Sequence, residues 1–465
     1  MSREGLLAAT EKMRREGLPE EAVQTFAHAY RRLAAGATGT LPDRELEPVH
    51  DVPDAAALTV PADREALDRA VVIKLNGGLG TSMGMRGPKS LIEAREGLTF
   101  LDVVARQVLA LRRRSGARLP LVVMNSFRTR DATLAALARH PELDVGLPPD
   151  FLQHKEPRIR ADDLHPVRWP QRPELEWCPP GHGDLYPALA ASGMLATLLD
   201  EGYEHAFVSN VDNLGATLDP GLLGWFARER PPFAMEVVVG TEEDRKGGHI
   251  ARRSDGRLVL RETAQTPPED AGSFRDFRRW RHYNTNNLWI DLRALARRLA
   301  GSGGVLGLPL IVNRKRVDPA DPASPEVIQL ETAMGAAIGA FEGAGAVRVP
   351  RTRFAPVKTT DDLLVLRSDV YRLSADAGVE PNPARDGDRP FVDLDDAHFA
   401  HIDEVERRLP HGPPSRVGAE RLVVRGDVTF GAGVVARGRV RVAADGGHPL
   451  HIPDGTVLEG GADAG

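Results

Sequence analysis

The sequence predicts an α/β protein: a doubly wound, mostly parallel sheet, preceded by a helical segment and followed by a small β-helix-like module. Three observations carry that prediction. From Val71 onward, short β-branched apolar runs alternate with helical stretches, the pattern of strand–helix–strand units. The first such run, Val71-Val72-Ile73-Lys74-Leu75, passes directly into a loop with glycines at 77, 78, 80 and 84. Beyond residue 418 the texture changes to very short strands punctuated by glycine, which need a neighbour to cover their apolar faces.

Taken in order, residues 3 to about 34 carry apolar residues at helical spacing, Leu6, Leu7 and Met13, then Ala22, Val23, Phe26, Tyr30 and Leu33. Gly17-Leu18-Pro19 divides them into a helical hairpin. Residues 36–56 read as a wrap-around loop. Strands are predicted at 71–75, 121–124, 206–209, 235–239 and 258–260, with helices at 105–114, 131–138 and 220–229. A Pro/Asn/Asp/Gly-rich stretch at 379–390 reads as a linker, and strand-like pieces recur at 422–424, 428–430, 434–435, 440–442 and 456–458. The expected units are therefore 1–60, helical; 61–378, the main α/β domain; 379–417, linker and helical connector; and 418–465, the C-terminal module.

Composition narrows the function classes. The chain has 465 residues, 42% hydrophobic and 27% charged, which is ordinary for a globular protein of two or three units. A net charge of −6 gives no reason to expect nucleic acid or an anionic membrane as partner. The one cysteine, Cys178, permits no internal disulfide framework and suits a reducing cytoplasm. No run approaches the roughly 18 apolar residues of a membrane span, and the charged N-terminus lacks a signal-peptide apolar region. A cytoplasmic protein is expected.

The glycine loop points to phosphate chemistry. Its glycines let backbone N–H groups approach an anion closely, and Lys89 adds a mobile positive charge. A Walker A loop is excluded because Pro88 separates Gly87 from Lys89. A dinucleotide-binding loop is opposed by the spacing of Gly78, Gly80 and Gly84, which puts three residues where that fingerprint has two.

Later motifs mostly follow strand-like runs. Gln153 offers an amide donor and acceptor, as a pyrimidine edge requires, although a lone glutamine is often a surface residue. In Pro179-Pro180-Gly181-His182-Gly183-Asp184 two glycines free the backbone to present an imidazole, or simply form a turn. Asp212, in Ser209-Asn210-Val211-Asp212-Asn213-Leu214-Gly215, suits a Mg²⁺ ligand or an Asx-turn. Asn284-Thr285-Asn286-Asn287 is dense in groups that read hydroxyls, or is a polar loop. Lys358, after Phe354-Ala355-Pro356-Val357, is by itself a surface lysine.

Together these motifs resemble, in order and from about residue 60 to 460, the eukaryotic-type UTP–glucose-1-phosphate uridylyltransferases (UDP-glucose pyrophosphorylases). The strongest likeness is Leu75-Asn76-Gly77-Gly78-Leu79-Gly80-Thr81-Ser82-Met83-Gly84 followed by Gly87-Pro88-Lys89-Ser90. The resemblance implies a Rossmann-like, GT-A-like nucleotidyltransferase domain at 61–378 and the reaction UTP + glucose 1-phosphate ⇌ UDP-glucose + pyrophosphate. It implies Leu75, Asn76, Gly77, Gly78, Lys89, Gln153, Gly181, Asp212 and Lys358 at the nucleotide, with Gln153 on uracil. For the sugar phosphate it implies Gly77, Gly78, His182, Asn210, Glu262, Thr285 and Asn286. Lys89, Lys358 and Asp212 are the implied catalytic residues, with Mg²⁺ on Asp212 and a possible homo-oligomer through the C-terminal module. A pyrophosphorylase for N-acetylglucosamine 1-phosphate or galactose 1-phosphate is the near alternative. A nicotinamide-dependent dehydrogenase is opposed by the glycine spacing, and a non-catalytic paralogue by the retention of Asp212, Lys89 and Lys358.

Overall fold

The computed structural model describes residues 2–58, 60–61, 64–85, 87–387, 389–444 and 448–460; the last five residues of the predicted C-terminal module lie outside it. Two helices, α1 (Ser2–Arg15) and α2 (Glu20–Ala34), are joined by a turn in which Gly17 has φ +77°. Met13, Val23, Phe26 and Tyr30 pack on Ile159, Ile328 and Leu330, from a small sheet of Ile159–Arg160, Ile311–Arg316 and Glu326–Glu331, and on Leu310, just before Ile311. Full burial of a side chain such as Phe26 stabilises by about 1.5–3 kcal/mol. The Tyr30 hydroxyl donates to the Leu164 carbonyl at 2.7 Å, which satisfies its polar end.

The main sheet has ten strands among the described residues. They are β1 (Leu46–Pro48), β2 (Ala70–Asn76), β3 (Leu121–Asn125), β4 (Asp150–Leu152), β5 (His205–Asn210), β6 (Phe233–Val239), β7 (His249–Arg253), β8 (Leu258–Arg261), β9 (His282–Asp291) and β10 (Gly345–Arg348). The path runs β1–β7–β9–β5–β2–β3–β4, with β8 on β7, β6 on β9 and β10 on β6. The pairs β5–β2, β2–β3, β3–β4 and β6–β10 are parallel; β9 is antiparallel to both β5 and β6. The sheet is thus mixed rather than mostly parallel. β2 to β6, joined in turn through helices, lie parallel to one another, whereas β7 and β8 form a hairpin and β9 runs antiparallel to β5 and β6.

Helices α3 (Phe100–Ser115), α4 (Arg130–Leu137), α5 (Leu185–Ala191), α6 (Pro220–Glu229) and α7 (Leu292–Gly301) cover the two faces. Thr99 and Asp102 form a capping box at the start of α3, and Gly116 ends it in the left-handed region. β2 is buried along its whole length and feeds both cores: Val72 joins Phe100, Val104 and Phe207 on one face, while Val71, Ile73 and Leu75 join Leu185, Leu195 and Leu295 on the other. Lys74 therefore points into the first face, a site for a charge that the apolar pattern alone would not place there.

After α8 (Thr360–Arg367) come β11 (Phe391–Asp393), β12 (Ala419–Arg425), β13 (Val435–Ala443) and β14 (Val457–Gly460), paired in parallel in that order. Val428–Phe430 pairs in parallel with Leu450–Ile452 to form a second, narrower sheet. Leu422, Val424, Val428, Phe430 and Val440 share a core with Leu364 of α8 and with Phe399 and Val405. Those last three residues supply the cover that such short strands need.

Candidate active site

β2, β3 and β5 release the chain at one edge of the sheet, where ligands of open α/β sheets bind. The glycine loop after β2 folds back on itself. Lys89 N donates to Gly78 O at 3.2 Å, Gly80 N to Gly87 O at 3.2 Å and Met85 N to Gly80 O at 2.9 Å. This return stands Lys89 over the start of the loop, and its ammonium donates to Asp212 Oδ2 at 2.5 Å. Both side chains keep 16% of their exposure, so the pair is reachable from solvent. At the far turn Gly84 has φ +79°, and a Cβ there would lie 2.8 Å from the His401 ring.

Gln153, just past β4, is drawn to the same place. Its backbone N–H donates to Asn125 O at 2.7 Å and its amide to Gly181 O at 3.2 Å. A Cβ at Gly77 would come within 2.3 Å of Gln153 Oε1, so the first loop glycine and the glutamine lie directly against each other. Gly181 has φ +77° and approaches Thr332 so closely that a Cβ would be 2.5 Å from its carbonyl oxygen. His182 follows. Its Nδ1 accepts the Met334 backbone N–H at 3.0 Å, and burial pushes its pKa down to about 4. A neutral ring accepting at Nδ1 carries its proton on Nε2, so His182 is fixed as a donor.

Behind these residues His154 donates both its backbone N–H and, from Nδ1, its ring proton to Asp184, at 2.6 and 2.9 Å. The pair staples the segment of Gln153 to the segment of His182. Burial alone would lower the pKa of His154, but the Asp184 carboxylate raises it overall. Cys178 is buried nearby; burial raises its thiol pKa well above the usual range, which makes it a packing residue.

The Asp212 loop leaves β5 beside β2, with Asn210 opposite Leu75 and Val211 N donating to Leu75 O at 3.1 Å. It is zipped to the Lys358 segment: Val357 N donates to Asp212 O at 3.3 Å, and Ala355 N to Asn213 Oδ1 at 3.0 Å. Lys358 is exposed and lies close enough to Glu262 to lower its pKa, although burial raises that carboxyl overall. Glu262 sits over Gly248, where a Cβ would be 2.6 Å from Oε2.

The Asn284–Asn287 run is within strand β9 rather than in a loop. A register shift between Met235 and Val237 and a left-handed Asn286, φ +59°, bend the strand there. Because β9 runs antiparallel to β5, the bend carries these residues past the carboxyl end of β5 toward Asp212. Asn284 and Asn286 bond each other through two 2.8 Å contacts, and Asn287 reaches Asn213 at 3.3 Å.

Two predicted residues turn their side chains elsewhere. Asn76 donates to Asn125 Oδ1 and Thr133 Oγ1 at 2.9 and 2.8 Å and is 1% exposed. Thr285 donates to Glu236 O at 2.8 Å and is 2% exposed. Leu75 is a core residue of β2. Sequence reasoning assigned nothing to Lys74, Glu236 or Arg353. Arg353 forks onto both oxygens of the fully buried Glu236 at 2.6 and 2.8 Å, while Trp289 and Asn287 also donate to that carboxylate. The signal for Lys74 was a lone charge inside an apolar strand.

Among the described residues no group of three or more His, Cys, Asp or Glu side chains could hold a metal ion. That does not conflict with Mg²⁺, which takes one or two carboxylates and fills its octahedron with phosphate oxygens and water. Asp212 already holds a cation, the Lys89 ammonium, and so fits as the single carboxylate.

A glycine loop with a lysine, a solvent-accessible carboxylate at a strand end and amides converging on one edge of an α/β sheet define a nucleotidyltransferase. The family model of the UTP–glucose-1-phosphate uridylyltransferases matches residues 23–437. The chain belongs to that family. It is 42% identical over 402 residues to the UTP–glucose-1-phosphate uridylyltransferase of Hordeum vulgare, covering 86% of this chain and 82% of that one. With the Saccharomyces cerevisiae enzyme of the same name it shares 41% over 400 residues, 86% and 79% of the two chains. A mutant of Leishmania major UDP-glucose pyrophosphorylase, solved in complex with UDP-glucose, superposes with a TM-score of 0.93 at 43% identity over 98% of both chains.

Proposed function

We propose that the chain transfers the uridylyl group of UTP to glucose 1-phosphate, releasing pyrophosphate, in a reversible reaction. The observation that carries this reading is convergence: residues from Gly77 to Lys358 meet at one sheet edge, around the Lys89–Asp212 pair. A phosphate oxygen of the sugar bonds the α-phosphorus in line as the bond to the pyrophosphate oxygen breaks. The nucleophile is already anionic, so no general base or covalent intermediate is required.

In this reading the Gly77–Gly78 backbone receives the nucleotide and sugar phosphates, Leu75 and Asn76 fix the loop from within the core, and Gln153 with Gly181 reads uracil. Lys89 and Lys358 offset phosphate charge. His182 donates from Nε2 to the sugar phosphate, and Asn210, Glu262, Thr285 and Asn286 surround the hexose. Asp212 would hold Mg²⁺, which when bound neutralises charge on phosphate oxygens. The proposed compartment is the cytoplasm, in keeping with a chain whose one cysteine, Cys178, is a buried free thiol. Self-association would use the parallel strands of the C-terminal module, whose outer strand β14 leaves Val457 46% exposed.

The test is ³¹P NMR of UTP, glucose 1-phosphate and Mg²⁺ with the enzyme. The diphosphate signals of UDP-glucose and free pyrophosphate are expected to grow together, and added pyrophosphate to reverse them. An unchanged spectrum contradicts the reading.

A further inference from the structure

Lys74 lies in the middle of β2, 2% exposed, on a face otherwise occupied by Val72 and the α3 core. Burying an ammonium is costly unless it is paired and hydrogen-bonded. Here its Nζ donates to Ser209 Oγ at 2.7 Å and to Ala216 O at 2.7 Å. Ser209 stands opposite Lys74 in the parallel β5–β2 register and is itself fully buried. Ala216 closes the loop that begins at Ser209, and between them lie Asn210, Asp212 and Asn213. One side chain thus ties together both ends of the segment that presents Asp212.

The surroundings are charged as well as close. Asp212 and Glu236 act on Lys74 as favourable neighbours and Arg353 as an unfavourable one, while burial is the largest effect and brings its pKa down to about 7. A cavity of about 200 Å³ reaches Lys74 from the rear of the sheet, lined also by Gln107, Arg114, Thr217, Ser374 and Glu380. No role in packing requires a lysine here: methionine has the same reach and no charge to bury.

We propose that Lys74 is a positioning residue for uridylyl transfer, a buried ammonium that sets the Asn210–Asp212 loop from beneath while Lys89 and the substrates engage Asp212 from above. This rests on the reading of Asp212 as the metal-holding carboxylate. Replacing the tie would leave Asp212 in place in the sequence but displaced in space, and a displacement of about 1 Å costs about 10²-fold in rate.

The experiment compares wild type with K74M, K74A, S209A and D212A, reading turnover, thermal unfolding, and Mn²⁺ binding in the presence of UTP by electron paramagnetic resonance. K74M is expected to unfold cooperatively, to lose about 10²-fold in kcat and to bind Mn²⁺–UTP about tenfold more weakly, with the KM for glucose 1-phosphate within about threefold of wild type. S209A, which removes one tie and keeps the charge, is expected to lose about tenfold in kcat. Propylammonium replaces the atoms K74A removes beyond Cβ and can enter through the cavity; it is expected to restore turnover to K74A, and propanol is not. Should K74M fail to fold, S209A and the rescue of K74A decide. The proposal is overturned by folded K74M or S209A at wild-type turnover and Mn²⁺ affinity, or by K74A indifferent to propylammonium. Full activity of D212A would instead overturn the underlying reading of the metal-holding residue.

Discussion

Lys89 donates to Asp212 across 2.5 Å, so each charge that the phosphates and a metal would engage is already balanced by the other. Substrate binding then exchanges partners: a phosphate replaces Asp212 at Lys89, and a metal would replace Lys89 at Asp212. K89M and D212N are each predicted to lower kcat by about 10²–10³-fold. The double variant is predicted to fall little further, because residues that act as a unit are not additive. Initial rates of the four proteins under saturating substrates check this; additive losses would mean that the two side chains act separately.

Protonation should act on stability with opposite signs at different histidines. His182, His249 and His282 are buried with pKa values near 4, 3 and 4, below the unfolded value of about 6.5. The unfolded chain binds protons first, so stability is full above about pH 6.5 and falls as pH drops toward those values. His154 is the reverse: its folded pKa is raised, so the Asp184 pair stabilises below about pH 6.5 and that contribution fades as pH rises through the folded value. Urea unfolding is therefore predicted to show D184N losing more relative to wild type at about pH 5.5 than at about pH 8.5. An equal loss at both would contradict the staple.

Arg353 and Glu236 anchor the floor beneath Asn213 and Asn287 as a buried, bidentate pair. R353M leaves the Glu236 carboxylate buried without its countercharge and is predicted to destabilise by about 3–5 kcal/mol. Chemical denaturation measures this directly. A loss under about 1 kcal/mol, as for an exposed pair, would show the carboxylate to be reached by water.

Glycines of equal φ should respond differently to alanine. Gly181 and Gly193 both sit at φ +77°, but a Cβ at 181 meets Thr332 O at 2.5 Å, whereas one at 193 meets nothing within 4 Å. G193A should pay backbone strain alone, about 1–2 kcal/mol, and keep its kinetics. G181A should in addition shift Gln153 and His182 and raise the KM for UTP. Matching kinetics in the two variants would separate Gly181 from the nucleotide.

The helical hairpin, the central strands and the glycine loop were legible because each rests on local pattern: periodicity, β-branching, and glycine before a lysine. The motifs of Gln153, His182, Asp212 and Lys358 were legible as residues, but their convergence was not, since nothing local says that β2 and β5 are neighbours. The polar run at Asn284–Asn287 looked unlike a strand because its side chains bond one another and the bulged β6 rather than an apolar face. The antiparallel half of the sheet was hidden for a related reason: direction depends on connections, not on composition. Lys74 and Arg353 escaped assignment because a buried charge is explained only by the partners that surround it.

The most direct test is pyrophosphate release from UTP and Mg²⁺ with glucose 1-phosphate, galactose 1-phosphate and N-acetylglucosamine 1-phosphate compared in parallel, in wild type and Asp212→Ala. Release dominated by glucose 1-phosphate, and lost in the variant, is the predicted result. Release led by another sugar phosphate would contradict the assigned substrate, and undiminished release from Asp212→Ala would contradict the site.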